Sequence, residues 1–183
     1  PEDRCFHCKT ALFTQLFPIA REEGLREVLH GMNADDLGDY RPGTAAAERM
    51  GARAPLQEVG LTKSEIRGLS RELGLRTWDK PACACLASRI PYGQRITREA
   101  LLQIEAAEDY LHDLGFGQVR VRHHDQVARI ELPKEQMGLL LANGAAESVV
   151  ARLKELGYLY VTVDLQGYRM GSMNKPLTGH HRG

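Results

Sequence analysis

The 183-residue sequence has no excess of either charge, because 24 Lys and Arg balance 24 Asp and Glu. That balance provides no global attraction to nucleic acid or to an anionic membrane. No apolar run approaches the roughly 18 residues of a membrane-spanning helix, and no signal-peptide pattern opens the chain. Aromatic residues are sparse, with one Trp, and there are only four cysteines. A chain of this length can bury a core without a disulfide scaffold. We therefore read a reducing, cytoplasmic compartment in which the thiols bind metal or do chemistry. Internal repeats and low-complexity segments are lacking. An initiator Met is also lacking: the chain opens at Pro1 and its first residues read as the middle of a fold. An N-terminal part is expected to precede them.

What is present concentrates in one stretch, residues 78–93. It holds Trp78, Lys80, Cys83, Cys85, Ser88 and Arg89, with no apolar periodicity. Pro81 and Pro91 deny it a long helix, because proline removes a backbone donor and restricts the residue before it. It reads as a loop rich in reactive side chains. Two packed structural thiols are the plainer alternative.

Before this loop the pattern is α/β. Arg4-Cys5-Phe6-His7-Cys8-Lys9 leads into a helix with Leu12, Phe13, Leu16 and Phe17 on one face, kinked or ended near Pro18 and stopped at Gly24. Residues 27–31 read as a short buried strand. The polar loop after it carries Asn33, Asp35, Asp36, Asp39 and Arg41. A loop at the carboxyl edge of a strand is the usual ligand position in open α/β sheets, although Asn and Asp also make ordinary turns. A helix follows over 44–53, and 54–56 extends. Thr62 and Glu65 form a capping box for the next helix, which ends at Gly74. Lys63 in its first turn is unfavourable for the helix dipole; it either faces a bound phosphate or is a solvated surface lysine. Residues 75–78 read as a short strand.

After Gly93 the texture changes to α+β. Thr97 caps a long apolar-striped helix that stops at Gly115, with Glu108 near its apolar face. Residues 119–122 and 127–132 alternate as a hairpin around a His123-His124-Asp125 turn. Helices over 134–142 and 145–156 and a strand over 158–163 follow, then a turn and a further short strand to 174. We place the domain boundary near 90–96: residues 1–92 form the first domain, 93–177 the second, and 178–183 a tail in which His180 and His181 are not ligands.

In order along the chain stand Arg4-Cys-x-x-Cys-Lys9, His30-Gly-x-Asn-x-Asp-Asp-x-x-Asp-Tyr-Arg-Pro-Gly43, Lys63-x-Glu-Ile-Arg67, Trp78-x-Lys-Pro81, Cys85-Leu-Ala-Ser-Arg89 and Val119-Arg-Val-Arg-His123. Together they resemble the LarE family, ATP-dependent sulfur transferases of nickel-pincer nucleotide biosynthesis. The Lys63 helix and Lys80-Pro81 are shared more widely with PP-loop ATP pyrophosphatases. One departure is large. The PP-loop motif Ser-Gly-Gly-x-Asp-Ser occurs nowhere in the sequence. The resemblance thus implies the C-terminal remnant of a PP-loop (adenine-nucleotide alpha hydrolase-like) parallel-sheet domain followed by a small α+β domain. It also implies that this chain alone is inactive.

The resemblance further implies ATP with Mg2+, a small nucleotide substrate and a homo-oligomer, with no membrane and no nucleic acid as partner. A carboxylate of pyridinium-3,5-biscarboxylic acid mononucleotide is adenylated, and sulfur then attacks it. Some members sacrifice a loop cysteine. Others are similar but hold a [4Fe–4S] cluster on three cysteines, and the thiol count here leans toward that type. Cys85 and Cys83 would be catalytic, and Cys83, Cys85, Cys5, Cys8 and Glu108 are the candidate metal ligands. Asn33, Asp35, Asp36, Lys63 and Arg67 would lie beside the nucleotide. Ser88, Arg89, Arg120, Arg122 and Arg169 would bind substrate, because a guanidinium fork suits oxyanions. The plainer alternatives are a solvated strand face for Arg120 and Arg122 and a helix-face salt bridge for Glu108. Rival readings are an amide-forming PP-loop synthetase, a tRNA thiolase, or a non-catalytic module with zinc on the four cysteines.

Overall fold

The computed structural model describes residues 1–38, 42–80, 83–142 and 144–169. Asp39, Arg41, Pro81, the strand expected to end at 174 and the tail with its two histidines lie outside the described residues. The chain divides into two compact units, Pro1–Ala82 and Cys83–Gly183. The division falls earlier than 90–96, so both cysteines of the loop belong to the second unit.

In the first unit, helix α1 (Arg4–Glu22) runs through Pro18 without ending there. Its apolar face explains the continuity. Phe13, with Leu16 and Phe17, packs against Ala47 and Ala52 beside helix α2 (Pro42–Met50). The two helices approach closely at Gly43, where a Cβ would meet Lys9 Cδ at 3.2 Å and the Cys5 carbonyl oxygen at 3.4 Å. The buried strand expected over 27–31 is not formed. A single parallel bridge, Leu29 with Arg53, stands in its place, and Leu29 is 58% exposed. Among the described residues this segment makes that one bridge, and a single bridge pair is not a strand ladder. Residues 55–58 are not extended but form a one-turn helix α3 (Pro55–Glu58), with proline at the first helical position where its missing N–H costs nothing. The capping box at Thr62 is present and opens α4 (Lys63–Glu72). No strand forms over 75–78; residues 76–79 make a turn.

In the second unit, α5 (Arg98–Asp113) is capped by the Thr97 hydroxyl, which accepts the N–H of Ala100. Strands β1 (Arg120–His124) and β2 (Val127–Glu131) are antiparallel, and β3 (Tyr160–Val163) joins β2 in parallel. His123 and His124 therefore belong to the strand, and the turn is Asp125 and Gln126. Asp125 takes φ 52°, a left-handed conformation that Asp tolerates better than most residues. The helices α6 (Lys134–Leu140) and α7 (Ala145–Glu155) complete the unit. Its core joins Leu111 and Ala107 of α5 to Val121, Ala128 and Ile130 of the sheet and to Val149 and Leu153 of α7. No helix among the described residues is long and apolar enough to cross a membrane.

Candidate functional site

Two groups of the expected site residues are assembled, one in each unit. In the first unit the loop after residue 31 folds on itself. The Asn33 side-chain oxygen accepts the Asp35 N–H at 3.0 Å, and Asp36 accepts the Asn33 N–H at 3.1 Å. Asp35 then reaches the next helix, accepting the Lys63 N–H at 2.8 Å. The N-terminus of α4 thus already holds an anionic group, as its dipole favours. Thr62 and Glu65 occupy further N–H groups there, and the Thr62 hydroxyl and backbone hold the Glu65 carboxyl below its ordinary range. Lys63 is exposed. Arg67, one turn along, donates to the Lys80 carbonyl at 3.0 Å. So Asn33, Asp35, Asp36 and Lys63 come together, and Arg67 reaches the start of the cysteine loop.

A pocket of about 360 Å3 lies elsewhere in this unit, lined by His30, Leu37, Thr44, Glu48, Arg53 and Glu58 among others. Burial first, then the Lys9 charge, lowers the His30 pKa from 6.5.

In the second unit the cysteine loop is tied down by Arg89, whose side chain is 4% exposed. Its Nη1 donates to the carbonyls of Ala84 (2.7 Å) and Cys85 (3.1 Å) and to the Ser88 hydroxyl (3.2 Å). Its other two nitrogens form a fork on Glu108, Nε to Oε1 at 2.8 Å and Nη2 to Oε2 at 2.6 Å. Glu108 Oε1 also accepts the Val121 N–H at 2.8 Å. Glu108 stands among Ile104, Ala107 and Leu111 on the buried face of α5, where a carboxylate must be paired. The loop's thiols are directed otherwise: Cys83 and Cys85 are exposed.

Beside this lies a chain of ion pairs that the sequence reading missed in part. Arg122 donates to the Ser88 carbonyl at 2.8 Å and to Glu131 at 2.8 Å. Glu131, fully buried, also faces Arg129 at 3.3 Å. Arg129 pairs with Asp164, and Arg169 stands 3.9 Å from the same carboxylate. Arg120 stacks over the Tyr168 ring at 5.4 Å. Arg122 is therefore not on a solvated strand face: it is 8% exposed. Burial raises the Asp164 pKa, but the Gln166 N–H and the Arg129 and Arg169 charges outweigh it and lower the value overall. Arg129, Glu131 and Asp164 were not anticipated. The signal lay in the register: a two-residue turn at 125–126 sets Arg122 opposite Arg129 and Arg120 opposite Glu131, placing all four on one face. Arg120, Arg122, Arg129 and Arg169 outnumber Glu131 and Asp164 here, which leaves this face with surplus positive charge suited to an oxyanion.

The four expected thiol ligands divide between the two units. Cys5 and Cys8 lie on α1 in the first unit, Cys83 and Cys85 in the second. Among the described residues no three His, Cys, Asp or Glu side chains group as metal ligands. Each unit by itself contributes two of the four cysteines. Both Glu108 oxygens are engaged by Arg89 and Val121.

No family model matches the chain. Among curated proteins it is 48% identical to an uncharacterized protein of Synechocystis over 97% of its own length and 66% of the relative's. It is 28% identical to an uncharacterized protein of Methanocaldococcus jannaschii over 91% of its length and 64% of the relative's. It is 44% identical over 96% of its length to the pyridinium-3,5-bisthiocarboxylic acid mononucleotide synthase of Lactiplantibacillus plantarum, 63% of which it covers. The chain spans slightly less than two thirds of each of these relatives. With 44% identity to that synthase over nearly all of its length, the chain belongs to the LarE family.

Proposed function

We propose that the protein of which this chain is part transfers sulfur to an ATP-activated carboxylate of pyridinium-3,5-biscarboxylic acid mononucleotide, with a loop cysteine as the sulfur source. The name of the Lactiplantibacillus plantarum relative supports the substrate class. The observation that carries the cysteine assignment is the Arg89 anchor. It fixes the carbonyls on both sides of the Cys85 nitrogen-to-carbonyl segment while leaving the thiol exposed. A nucleophile held by its backbone and free at its side chain suits attack on a bound acyl group.

In this reading ATP, with Mg2+, converts the carboxylate to an acyl adenylate and releases pyrophosphate. The Cys85 thiolate attacks the acyl carbon and AMP leaves, giving a thioester. A base then removes the Cys85 Cα proton, and the Cβ–S bond breaks toward sulfur. The products are a thiocarboxylate and dehydroalanine at position 85. Arg120, Arg122 and Arg169 hold the substrate's phosphate or second carboxylate. Asn33, Asp35, Asp36 and Lys63 line the nucleotide. The phosphate cradle is a PP-loop outside this sequence, and the first unit is part of a PP-loop domain. The whole protein acts as a cytoplasmic homo-oligomer.

Intact mass spectrometry of protein after a single turnover with ATP and substrate tests this. A mass loss equal to one hydrogen sulfide, mapped to residue 85, is the expected result. An unchanged mass with thiolated product, together with iron and acid-labile sulfide in anaerobically purified protein, would replace the cysteine by a [4Fe–4S] cluster carrying the sulfur. Zinc alone, with no product, would leave the chain as a structural module.

A further inference from the structure

We propose that Glu108 is the positioning residue of the cysteine loop, acting through Arg89 rather than by touching substrate or metal. The inference rests on the sulfur-transfer reading only in taking Cys85 as the reacting residue.

Arg89 has five N–H donors in a rigid plane. Two of its nitrogens are held by the Glu108 carboxylate, and this orientation points the third at the Ala84 and Cys85 carbonyls. Glu108 is itself held from behind by the Val121 N–H of β1. The order is therefore strand, carboxylate, guanidinium, loop. Each link is buried except the last, which ends beside an exposed thiol. An unpaired Arg89 could rotate, because the loop carbonyls alone are weak neutral acceptors. Beyond Arg89, the loop is held by Arg122, which donates to the Ser88 carbonyl at 2.8 Å, and by its short 3-10 turn, closed by the Ser88 N–H to the Cys85 carbonyl at 2.9 Å and the Ile90 N–H to the Ala87 carbonyl at 3.2 Å. No side-chain cap holds that turn.

Hydrogen exchange by mass spectrometry on the 183-residue chain reads the loop directly. Glu108→Gln keeps one acceptor oxygen and turns a donor toward Arg89, so exchange of the Ser88 and Ile90 amides should rise by about tenfold or more. The Asp164 and Tyr168 amides, hydrogen-bonded to Ile130 and Leu132, are the control and should not change. Unchanged exchange at 84–90 in Glu108→Gln would overturn the proposal and point to a direct ligand role for Glu108. Where Glu108→Gln also loosens the control amides, Arg89→Lys is read instead. It keeps the charge but loses the fork, and loop exchange should rise with the controls unchanged; no rise overturns the proposal. In the complete protein, kcat for sulfur transfer should fall about tenfold in Glu108→Gln with KM held within about twofold. A rise in KM alone would instead mark Glu108 as a substrate contact. The exchange result stands whether or not the protein transfers sulfur, so failure of the positioning role and failure of the functional reading are separable.

Discussion

Glu108 and Arg89, nineteen residues apart in sequence, meet in a two-pronged buried ion pair with N–O distances of 2.8 and 2.6 Å. The pair links the long helix of the second unit to the loop that carries Cys83 and Cys85. It also explains why that loop belongs with the second unit rather than with the helices before it.

Arg122 and Glu131 form the next buried pair. Arg122→Ala removes a partner from a carboxylate with no solvent access. The expected cost is about 3 kcal/mol, the range for breaking rather than replacing a buried pair, read as a lower urea midpoint. Arg122→Met with Glu131→Leu should recover most of it while substrate binding stays weak. Recovery of binding by the double variant would show that Arg122 serves the fold alone.

Thr62→Ala removes the hydroxyl that caps α4. A loss of about 1 kcal/mol is expected, seen as a lower melting temperature. Asp35→Asn should add to it, because its carboxylate accepts the Lys63 N–H at the same helix end. Simple additivity within error would mean that the loop and the cap act independently; a smaller combined effect would mean that they form one unit.

His123 and His124 set a pH dependence. Burial lowers both values from 6.5; for His124 the Arg129 charge adds to this, and for His123 the Asp125 charge opposes it. Both therefore bind fewer protons folded than unfolded just below pH 6.5, so stability rises with pH there. Their contribution is complete above 6.5 and is lost as the pH falls through the lowered values. Chemical denaturation of the chain between pH 7 and pH 5 should show decreasing stability. His124→Gln should flatten the slope, and an unaltered slope would exclude its imidazole as a source.

Asp164→Asn tests the far end of the arginine chain. It neutralises the group that faces both Arg129 and Arg169. The surplus positive charge on that face should increase, and inorganic phosphate should bind more tightly by about tenfold, measured by calorimetry. Weaker phosphate binding would mean that Asp164 orients the arginines more than it neutralises them.

Much of the second unit was legible in the sequence because its elements are locally determined. Thr97 caps α5 and the 3.6-residue stripe of Ile104, Ala107 and Leu111 defines its buried face. The alternation through Val119 to Leu132 defines the hairpin. The first unit was less legible. Residues 27–31 carry a strand-like pattern, but a strand needs a ladder of partners, and among the described residues this segment makes one bridge, Leu29 with Arg53. Leu56 and Leu75 to Trp78 were misjudged for a related reason: proline and glycine nearby allow either an extended or a turned backbone, and packing selects between them.

The available chemistry is written in the order of the residues. That order placed two thiols, a serine and an arginine within seven residues of loop, set the capping box at Thr62, and carried the motifs that mark the LarE family. How those groups are used depends on long-range packing. Whether a carboxylate on an apolar helix face binds metal, solvent or an arginine depends on what packs opposite, and periodicity does not encode that. The fold sets Arg89 there, sets Glu131 and Arg129 across from Arg120 and Arg122, and leaves Cys83 and Cys85 exposed. Buried charge requires a partner at hydrogen-bond distance, and such partners come from segments far apart in the chain.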